Sequence, residues 1–190
     1  MLKKFLIPTG IVALFAFGSI ALAGVPCTGT STIVATENNP SCPAGGAFCP
    51  AGDLNTITVT VTVLDCYGTA LSGKSVTLSP VGAGLKFQAA DSAKAVMTNL
   101  SGQASTTYLK IGGCGNLTFT GLCQGVTLGP SNSLYCANPD NNGSGTVDGI
   151  DLGTFATHYG KNQPCSDYNC SGLVDGVDLG TFATHYGDVF

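Results

Sequence analysis

The stretch NTITVTVTVLD at residues 55–65 decides the fold of most of this chain. Ile57, Val59, Val61 and Val63 alternate in it with four threonines. Successive side chains of a β-strand point to opposite faces of a sheet. This period of two among β-branched residues therefore predicts a strand with one face on an apolar core.

The sequence after this strand continues in short runs of the same kind, and glycine-containing turns separate most of them. Further strands are predicted at residues 74–80, 85–89, 94–99, 103–111, 116–123 and 125–129. No window of this region repeats apolar side chains at the spacing of an amphipathic helix. Several short strands joined by turns favour an antiparallel β-sandwich, which we place at residues 55–135.

The sequence before the strand divides into an export signal and an irregular segment. Residues 1–23 begin with a positive charge, continue in an apolar run and end in a small-residue cleavage pattern, so Gly24 is the predicted mature start. A retained membrane anchor is the alternative, but the run is short for a span and no stop-transfer charges follow it. Residues 24–54 are rich in Pro, Gly, Asn and Cys, which predicts an irregular, disulfide-tied segment with one strand around residues 32–35.

All nine cysteines follow the predicted cleavage site, so disulfides are expected in the exported protein. Because nine is odd, at least one thiol is free, modified or paired between chains. The sequence has no Cys-x-x-Cys, which excludes the common zinc-ribbon and thioredoxin-like patterns. Cys114 and Cys123 would lie about 30 Å apart on one strand, and we do not expect them to pair.

Several cysteine pairings stay open in the sequence. Cys42 and Cys49 flank a loop rich in Pro and Gly, and can pair with each other. Cys165 and Cys170 can form a local disulfide. They can also tie the C-terminal tail to Cys136 or to another chain.

The negative charge of the mature chain is concentrated near its C-terminus. Five Lys against eleven acids in residues 24–190 give a net charge of −6, and Lys161 against seven Asp in residues 138–190 also gives −6. An acidic chain without Arg lacks the basic patch that a nucleic acid requires. A local surplus of carboxylates predicts a bound cation instead.

The predicted sandwich resembles a family of bacterial immunoglobulin-like domains. TVTVTVLDCYGTALSGKSVTLSP at residues 58–80 and TNLSGQASTTYLKIGGCGNLTFTGLCQGVTLGPS at residues 98–131 are similar to the domains of invasin and intimin type. The shared elements are a turn from Asp65-x-x-Gly68 into Leu71-x-Gly73 and a Gly102-x-Ala104 start to a later strand. The resemblance implies a sandwich used as a spacer, an adhesin segment or a binding scaffold, without catalysis.

The C-terminal tail, residues 138–190, contains the same unit twice at an offset of 27 residues. DNNGSGTVDGIDLGTFATHYG at 140–160 and DYNCSGLVDGVDLGTFATHYG at 167–187 agree at 17 of 21 positions. Each copy begins with oxygen donors at positions 1, 3, 5, 7, 9 and 12 and glycine at position 6, which is the pattern of a twelve-residue calcium loop. The predicted ligands of two Ca²⁺ ions are Asp140, Asn142, Ser144, the Thr146 carbonyl, Asp148 and Asp151, and Asp167, Asn169, Ser171, the Leu173 carbonyl, Asp175 and Asp178.

The end of each unit has the spacing of a short amphipathic helix. Gly160 and Gly187 stand where a helix C-terminus favours glycine. Neither short helix can bury an apolar face alone, so we expect the two copies to pack against each other. The predicted faces are Leu152, Phe155, Ala156 and Tyr159 in the first copy, and Leu179, Phe182, Ala183 and Tyr186 in the second.

This pair of loop-and-helix units resembles the type I dockerin domain over residues 140–190. The resemblance implies a small α-helical module that calcium folds and whose helical surface docks a cohesin domain on another protein. The chain departs from the family at loop positions 10 and 11. Gly149-Ile150 and Gly176-Val177 stand where dockerins often carry Ser or Thr.

His158 and His185 occupy equivalent positions in the two predicted helices. Paired imidazoles can bind zinc. A single histidine per helix, copied by duplication, is more typical of a surface or packing residue, which is the interpretation we favour.

The sequence lacks the nucleophile, zinc-protease and phosphate-loop motifs of common enzymes. Outside the tail, the acids of the mature chain are Glu37, Asp53, Asp65 and Asp91. Asp65 is predicted in a turn, and Glu37 and Asp53 in loops. This set does not suggest a pair of catalytic carboxylates, so we expect no enzymatic activity.

These features together predict a secreted or cell-surface, non-catalytic adaptor with a mainly β fold. Its sandwich displays or binds something, and its tail docks by a calcium-dependent surface onto a cohesin-like or other extracellular protein, without a membrane span after cleavage. One alternative is a self-associating subunit of a surface fibre or matrix in which calcium is purely structural. Another is a small carbohydrate-active protein that binds a glycan in a polysaccharide-related assembly.

Overall fold

The computed structural model describes residues 24–37, 46–48, 56–109 and 111–189. Outside these ranges lie the predicted export signal, Cys42, Cys49 and Asp53. The elements of the described residues are β1 (Thr32–Glu37), β2 (Gly46–Phe48), β3 (Ile57–Thr62), β4 (Ser75–Val81), β5 (Leu85–Phe87), α1 (Ala89–Ser92), β6 (Lys94–Met97), β7 (Gln103–Tyr108), β8 (Ile111–Cys123), β9 (Val126–Leu128), β10 (Leu134–Ala137), α2 (Gly149–His158) and α3 (Gly176–His185).

The first sheet has three antiparallel strands in the order β1-β3-β7. Strand β3 is the predicted period-two strand, and its Ile57, Val59 and Val61 side chains are buried while its threonines are half-buried. Strand β1 pairs with β3 along its whole length, from Thr32 opposite Thr62 to Glu37 opposite Ile57. The sandwich therefore includes residues 32–37, so the predicted separate irregular segment and the predicted loop at Glu37 are wrong here.

The second sheet is built around the long strand β8. Its order is β2-β10-β8-β4-β6, and β5 and β9 also pair with β8. All pairings are antiparallel except that of β10 with β2, which is parallel. The prediction of two strands at 103–111 and 116–123 was wrong about their shared boundary, because β7 ends at Tyr108 and β8 already begins at Ile111.

The glycine-rich start of β8 explains this difference. Gly112 and Gly113 have no side chain that favours a strand, so β-propensity alone does not predict that they belong to β8. They pair with Lys86 and Leu85 of β5. A Cβ on Gly113 would lie 2.1 Å from the Gly84 carbonyl oxygen, so this close approach requires glycine.

The apolar core lies between the two sheets. Its largest fully buried side chains include Tyr108 and Phe119, whose ring centroids are 4.8 Å apart. Strands from both sheets contribute, and the tail residues do not belong to this core. The described sandwich is thus a mainly antiparallel β structure with its own hydrophobic core.

Two disulfides join described cysteines. Cys27 is bonded to Cys66 within the sandwich, and Cys114 on β8 is bonded to Cys165 of the tail. Of the pairings that the sequence leaves open for Cys165, the structure shows neither the local bond with Cys170 nor a bond with Cys136, and Cys170 is disulfide-bonded to another cysteine. Disulfides persist in oxidising compartments, which agrees with the predicted export.

Cys123, at the end of β8, is the free cysteine of the described residues. Its thiol is free and fully buried. Burial raises the pKa of this thiol, which keeps it in the unreactive protonated form. It is therefore not placed to pair between chains. Among the described helices, none is long and apolar enough to cross a membrane.

Candidate calcium loops in the duplicated tail

The first twelve-residue loop is held by carboxylates that reach across it. Asp140, at position 1, accepts hydrogen bonds from the backbone N–H groups of Ser144 and Gly145, both at 2.9 Å. Asp151, at position 12, accepts from the N–H groups of Asn142 at 3.1 Å and Asp148 at 3.0 Å. The two ends of the loop are thus folded onto its middle.

The second loop repeats this arrangement. Asp167 accepts from the N–H groups of Ser171 at 2.9 Å and Gly172 at 2.7 Å. Asp178 accepts from Asn169 at 3.2 Å and Asp175 at 2.9 Å.

Hydrogen bonds join positions 3, 5 and 7 within each loop. In the first loop, Asn142 accepts from the Ser144 N–H at 2.7 Å, and the Ser144 hydroxyl donates to the Thr146 carbonyl at 3.1 Å. In the second, the Ser171 hydroxyl donates to the Leu173 carbonyl at 3.0 Å. Each loop thus brings its predicted side-chain and carbonyl oxygens into short-range contact.

The acid at position 9 of each loop, a predicted ligand, is the N-cap of the helix that follows. Asp148 accepts from the Ile150 N–H and begins α2, and Asp175 accepts from the Val177 N–H and begins α3. In both copies the position-12 acid completes a capping box with the cap residue. Each loop therefore leads directly into the helix that follows it, without an entering helix.

The burial of the loop carboxylates is their most unusual physical feature. Asp140, Asp151 and Asp178 are completely buried, and Asp167 is 7% exposed. Burial raises the pKa of Asp151 and Asp178, against the opposing effect of backbone hydrogen bonds. Within the described residues, none of these four has a Lys or His in ion-pair range. Buried negative charge without a counter-charge is costly, and a cation would offset that cost.

The donor set fits calcium in its chemistry. Three carboxylates, an amide, a hydroxyl and a backbone carbonyl per loop are hard oxygen ligands of the kind that calcium takes in groups of six to eight. In the described part of the chain, however, no three acidic, His or Cys side chains close on one point. Each loop thus contains the predicted ligands within a short distance, but their carboxylates are hydrogen-bonded to backbone N–H groups and not gathered around one point.

The two copies pack on each other through one phenylalanine each. Phe155 and Phe182 are buried, and their ring centroids are 5.5 Å apart. The valines at position 8 are also fully buried and bridge the copies. Val147 exchanges backbone hydrogen bonds with residues 187–188, and Val174 with residues 160–161, at 2.9–3.0 Å.

The predicted apolar helix faces are correct only at these phenylalanines. Leu152 and Tyr159 are 39% and 52% exposed in α2, and Ala156 is also exposed. The helices are ten residues long and meet at one position. The rest of their shared core is filled from the loops, including Tyr168, whose ring stacks on Phe155 at 6.1 Å.

The two histidines form different local contacts. His158 Nδ1 lies 2.8 Å from the Ser166 hydroxyl, and His185 Nδ1 lies 3.0 Å from the Asp188 carboxylate. Each contact is within hydrogen-bonding distance of a residue near its own helix end. This arrangement corresponds to the packing interpretation of the pair.

The described acids outside the tail have separate local roles. Asp65 accepts from the N–H groups of Tyr67 and Thr69, as its predicted turn requires. Asp91 forms an ion pair with Lys94 at 2.6 Å, and Glu37 ends strand β1.

The surface through which the tail meets the sandwich was not predicted from the sequence. The Asn138 side chain donates to the Ile111 carbonyl at 2.8 Å, and the Gly113 N–H donates to the Asp140 carbonyl at 2.7 Å. The run Ile-Gly-Gly-Cys-Gly at 111–115 was the available signal, since adjacent glycines often mark a close backbone approach.

Comparison with known proteins gives partial structural likenesses. No protein-family model and no curated protein sequence matches the chain. Among solved structures, the Yersinia pseudotuberculosis adhesin InvE matches over 60% of the chain with 18% identity and a TM-score of 0.40. InvD of the same organism matches over 58% with 21% identity and a TM-score of 0.37. The matched part spans 28% of the length of each of these two proteins, to which this chain is similar.

Proposed function

We propose that this chain is a secreted, non-catalytic, calcium-binding adaptor that docks onto a cohesin-like extracellular protein through the surface of its tail. The sandwich is the displayed part, and the two loops hold one Ca²⁺ each. Calcium offsets the buried carboxylates and so maintains the docking surface.

The observation that carries this proposal is the matched exposure of apolar side chains in the two copies. Ile150 and Val177, at loop position 11, are 66% and 60% exposed. Leu152 and Leu179 are 39% and 40% exposed, and Tyr159 and Tyr186 are 52% and 55% exposed. The duplication thus presents the same apolar set twice. Exposed apolar groups of this kind are typical of a protein-interaction surface.

Calcium enters the proposal through the buried charge. Of the four buried loop aspartates, Asp140 and Asp167 lie in the loops before the helices that present this apolar set, and Asp151 and Asp178 lie in the first turns of those helices. If the loops lost their cation, repulsion and desolvation of these carboxylates would oppose the folded tail. We therefore expect docking to require calcium.

The test measures binding of the full chain to a panel of purified type I cohesin domains, first with calcium and then with chelator. The variant pair Ile150→Gln with Val177→Gln changes only exposed side chains and adds no charge near the loops. We expect it to weaken calcium-dependent binding by at least about tenfold, as truncation of interface anchors does. The control pair is Met97→Gln with Leu100→Gln, which changes exposed apolar side chains of the sandwich instead of the tail.

The result against the proposal would be an absence of calcium-dependent binding to every cohesin domain, or an equal loss of binding in both variant pairs.

Self-association is the alternative function, and light scattering of the purified chain with and without calcium would detect it. A disulfide-linked fibre is less supported because Cys123, the free cysteine of the described residues, is buried. Binding of residues 24–137 to a glycan array would instead favour the carbohydrate-related alternative.

A further inference from the structure

The end of the sandwich that lies away from the tail has two adjoining cavities. Strand β8 contacts the tail at its first residue, Ile111, and pairs with the start of β4 at its last residue, Cys123. Its thirteen residues span about 40 Å, so cavities beside the start of β4 are far from the loops of the tail. Asp65 lines both cavities, whose volumes are about 330 and 280 Å³. The larger volume is within the range of small-ligand sites in proteins.

The larger cavity has two opposite charges in its wall, Asp65 and Lys74, that do not pair with each other. The Lys74 ammonium lies beside Gly24, where a Cβ would be 2.9 Å from Nζ, and has no ion pair or hydrogen bond among the described residues. The Asp65 Oδ1 atom accepts from the N–H groups of Tyr67 and Thr69, at 2.9 and 2.8 Å. Its Oδ2 atom has no donor in the part of the chain that the structure describes. One charged donor and one charged acceptor are therefore available to a ligand in this cavity.

The smaller cavity is bordered by an exposed aromatic ring on a fixed turn. Tyr67 lines this cavity and is 90% exposed. Its neighbour Cys66 is bonded to Cys27, and the Asp65 carbonyl accepts from the Thr30 hydroxyl at 2.7 Å. The turn that presents the ring is thus held in place before a ligand arrives, which lowers the entropic cost of binding.

The chemistry of the two cavities favours a ligand that is rich in hydroxyl groups. An anion would face the Asp65 carboxylate and a cation would face the Lys74 ammonium, whereas a hydroxyl group can donate to the first and accept from the second. A zwitterion would form two ion pairs in an open site, and ion pairs that are exposed to solvent contribute little. A sugar ring also has an apolar C–H face that can pack on the exposed Tyr67 ring.

We propose that the sandwich binds a neutral oligosaccharide at this end, with Asp65 and Lys74 hydrogen-bonded to its hydroxyl groups and Tyr67 packed on a sugar ring. The site is separate from the calcium-dependent docking surface of the tail and does not rest on it. With the tail on a protein partner at the opposite end, the chain joins a glycan to that partner.

The test is calorimetric titration of the full chain, with its disulfides intact, using soluble neutral oligosaccharides of glucose, mannose, galactose and N-acetylglucosamine. We expect at least one of these sugars to bind at one site per chain. The affinity should be the same in calcium and in chelator, because no residue of the calcium loops lines either cavity. Free amino acids, used as zwitterionic probes, should give no heat.

Three variants each remove one proposed contact. Lys74→Met keeps the length of the side chain without its ammonium, Asp65→Asn keeps an oxygen for the turn, and Tyr67→Ala removes the ring. Each should weaken binding about tenfold, the scale of a hydrogen bond to a charged group or of a truncated aromatic anchor. Leu100→Ala is the matched control, because Leu100 is 91% exposed and lines neither cavity. Near-ultraviolet circular dichroism would confirm that all four variants keep the folded sandwich.

The proposed site is wrong if none of these oligosaccharides binds, if binding is lost in chelator, or if free amino acids bind instead. It is also wrong if the three variants bind as the unchanged chain does, or if Leu100→Ala weakens binding as much as they do. These outcomes are separate from failure of the docking function, which is measured as calcium-dependent binding to cohesin domains. A chain that binds both an oligosaccharide and a cohesin domain joins the two, and one that binds only the oligosaccharide is the carbohydrate-related alternative.

Discussion

The sandwich and the tail reach their folded states by different means. The core of the sandwich is a continuous set of apolar side chains from two sheets, with Tyr108 and Phe119 at its centre. The tail buries a small apolar cluster around Phe155 and Phe182, and beside it four aspartates. The sandwich is stabilised mainly by the hydrophobic effect, whereas the tail must also compensate four buried carboxylates that have no ion-pair partner among the described residues.

This difference predicts that removal of calcium separates the two regions. In chelator, the tail should lose its helical signal while the sandwich stays folded. Asp140→Ala with Asp167→Ala should give the same state in excess calcium, because each loop then lacks the acid that crosses it. Far-ultraviolet circular dichroism and limited proteolysis would measure both changes.

The control for this experiment is Asp188→Asn, which removes one charge from the tail outside the loops. It should keep the helical signal in calcium. If the tail of the double variant stays helical and protease-resistant in chelator, the assignment of the loops as metal sites is wrong.

Two matched phenylalanines sharpen the comparison of the cores. Phe119→Ala in the sandwich and Phe155→Ala in the tail each remove a fully buried ring, which costs about 3–5 kcal/mol. The loss in the sandwich should not depend on calcium, whereas the loss in the tail should raise the calcium concentration needed for folding. Chemical denaturation at several calcium concentrations would measure this, and equal calcium dependence of the two variants would contradict it.

The period-two strand and the calcium-loop spacing allowed much of this division to be predicted. Both patterns are local, because Ile57, Val59 and Val61 share one face of a strand and the loop donors lie within twelve residues. Most predicted strands of the sandwich agree with the structure to within a few residues, and the helices follow the loops as expected. Local periodicity thus predicted most of the secondary-structure elements of the sandwich and of the tail.

The remaining features depend on tertiary contacts that no local pattern contains. The early start of β8 at Ile111 depends on pairing of Gly112 and Gly113 with β5. The exposure of Leu152 follows from the point at which two short helices cross. The bond between Cys114 and Cys165 requires the tail to lie on the sandwich, which the spacing of cysteines cannot reveal.

That disulfide is a covalent link between the sandwich and the tail. It closes a loop of 51 residues between Cys114 and Cys165. Replacing both with Ala should reduce the stability of the tail by about 2–4 kcal/mol, mainly because the unfolded chain gains freedom. Differential scanning calorimetry should show a lower tail transition and an almost unchanged sandwich transition. Equal lowering of both transitions would show that the two regions unfold as one unit.

The smallest expected difference is in pH dependence, because both histidines of the chain lie in the tail. Burial, together with Lys161, lowers the pKa of His158 below its ordinary value of 6.5. A histidine with a lowered folded pKa contributes stability above its unfolded pKa and loses it as the pH falls through the folded pKa. The tail should therefore lose a little stability on acidification below about pH 6.5.

The variant His158→Gln should remove this component and change the melting temperature of the tail by a few degrees at most. Lys161→Asp is the complementary change, since it gives His158 the acid that the second copy has as Asp188 beside His185. A nearby carboxylate favours the protonated imidazole, so the His158 pKa should rise and acidification should then cost the tail less. Titration of the imidazole by nuclear magnetic resonance would measure both changes. An unchanged His158 pKa in Lys161→Asp would mean that burial alone sets it.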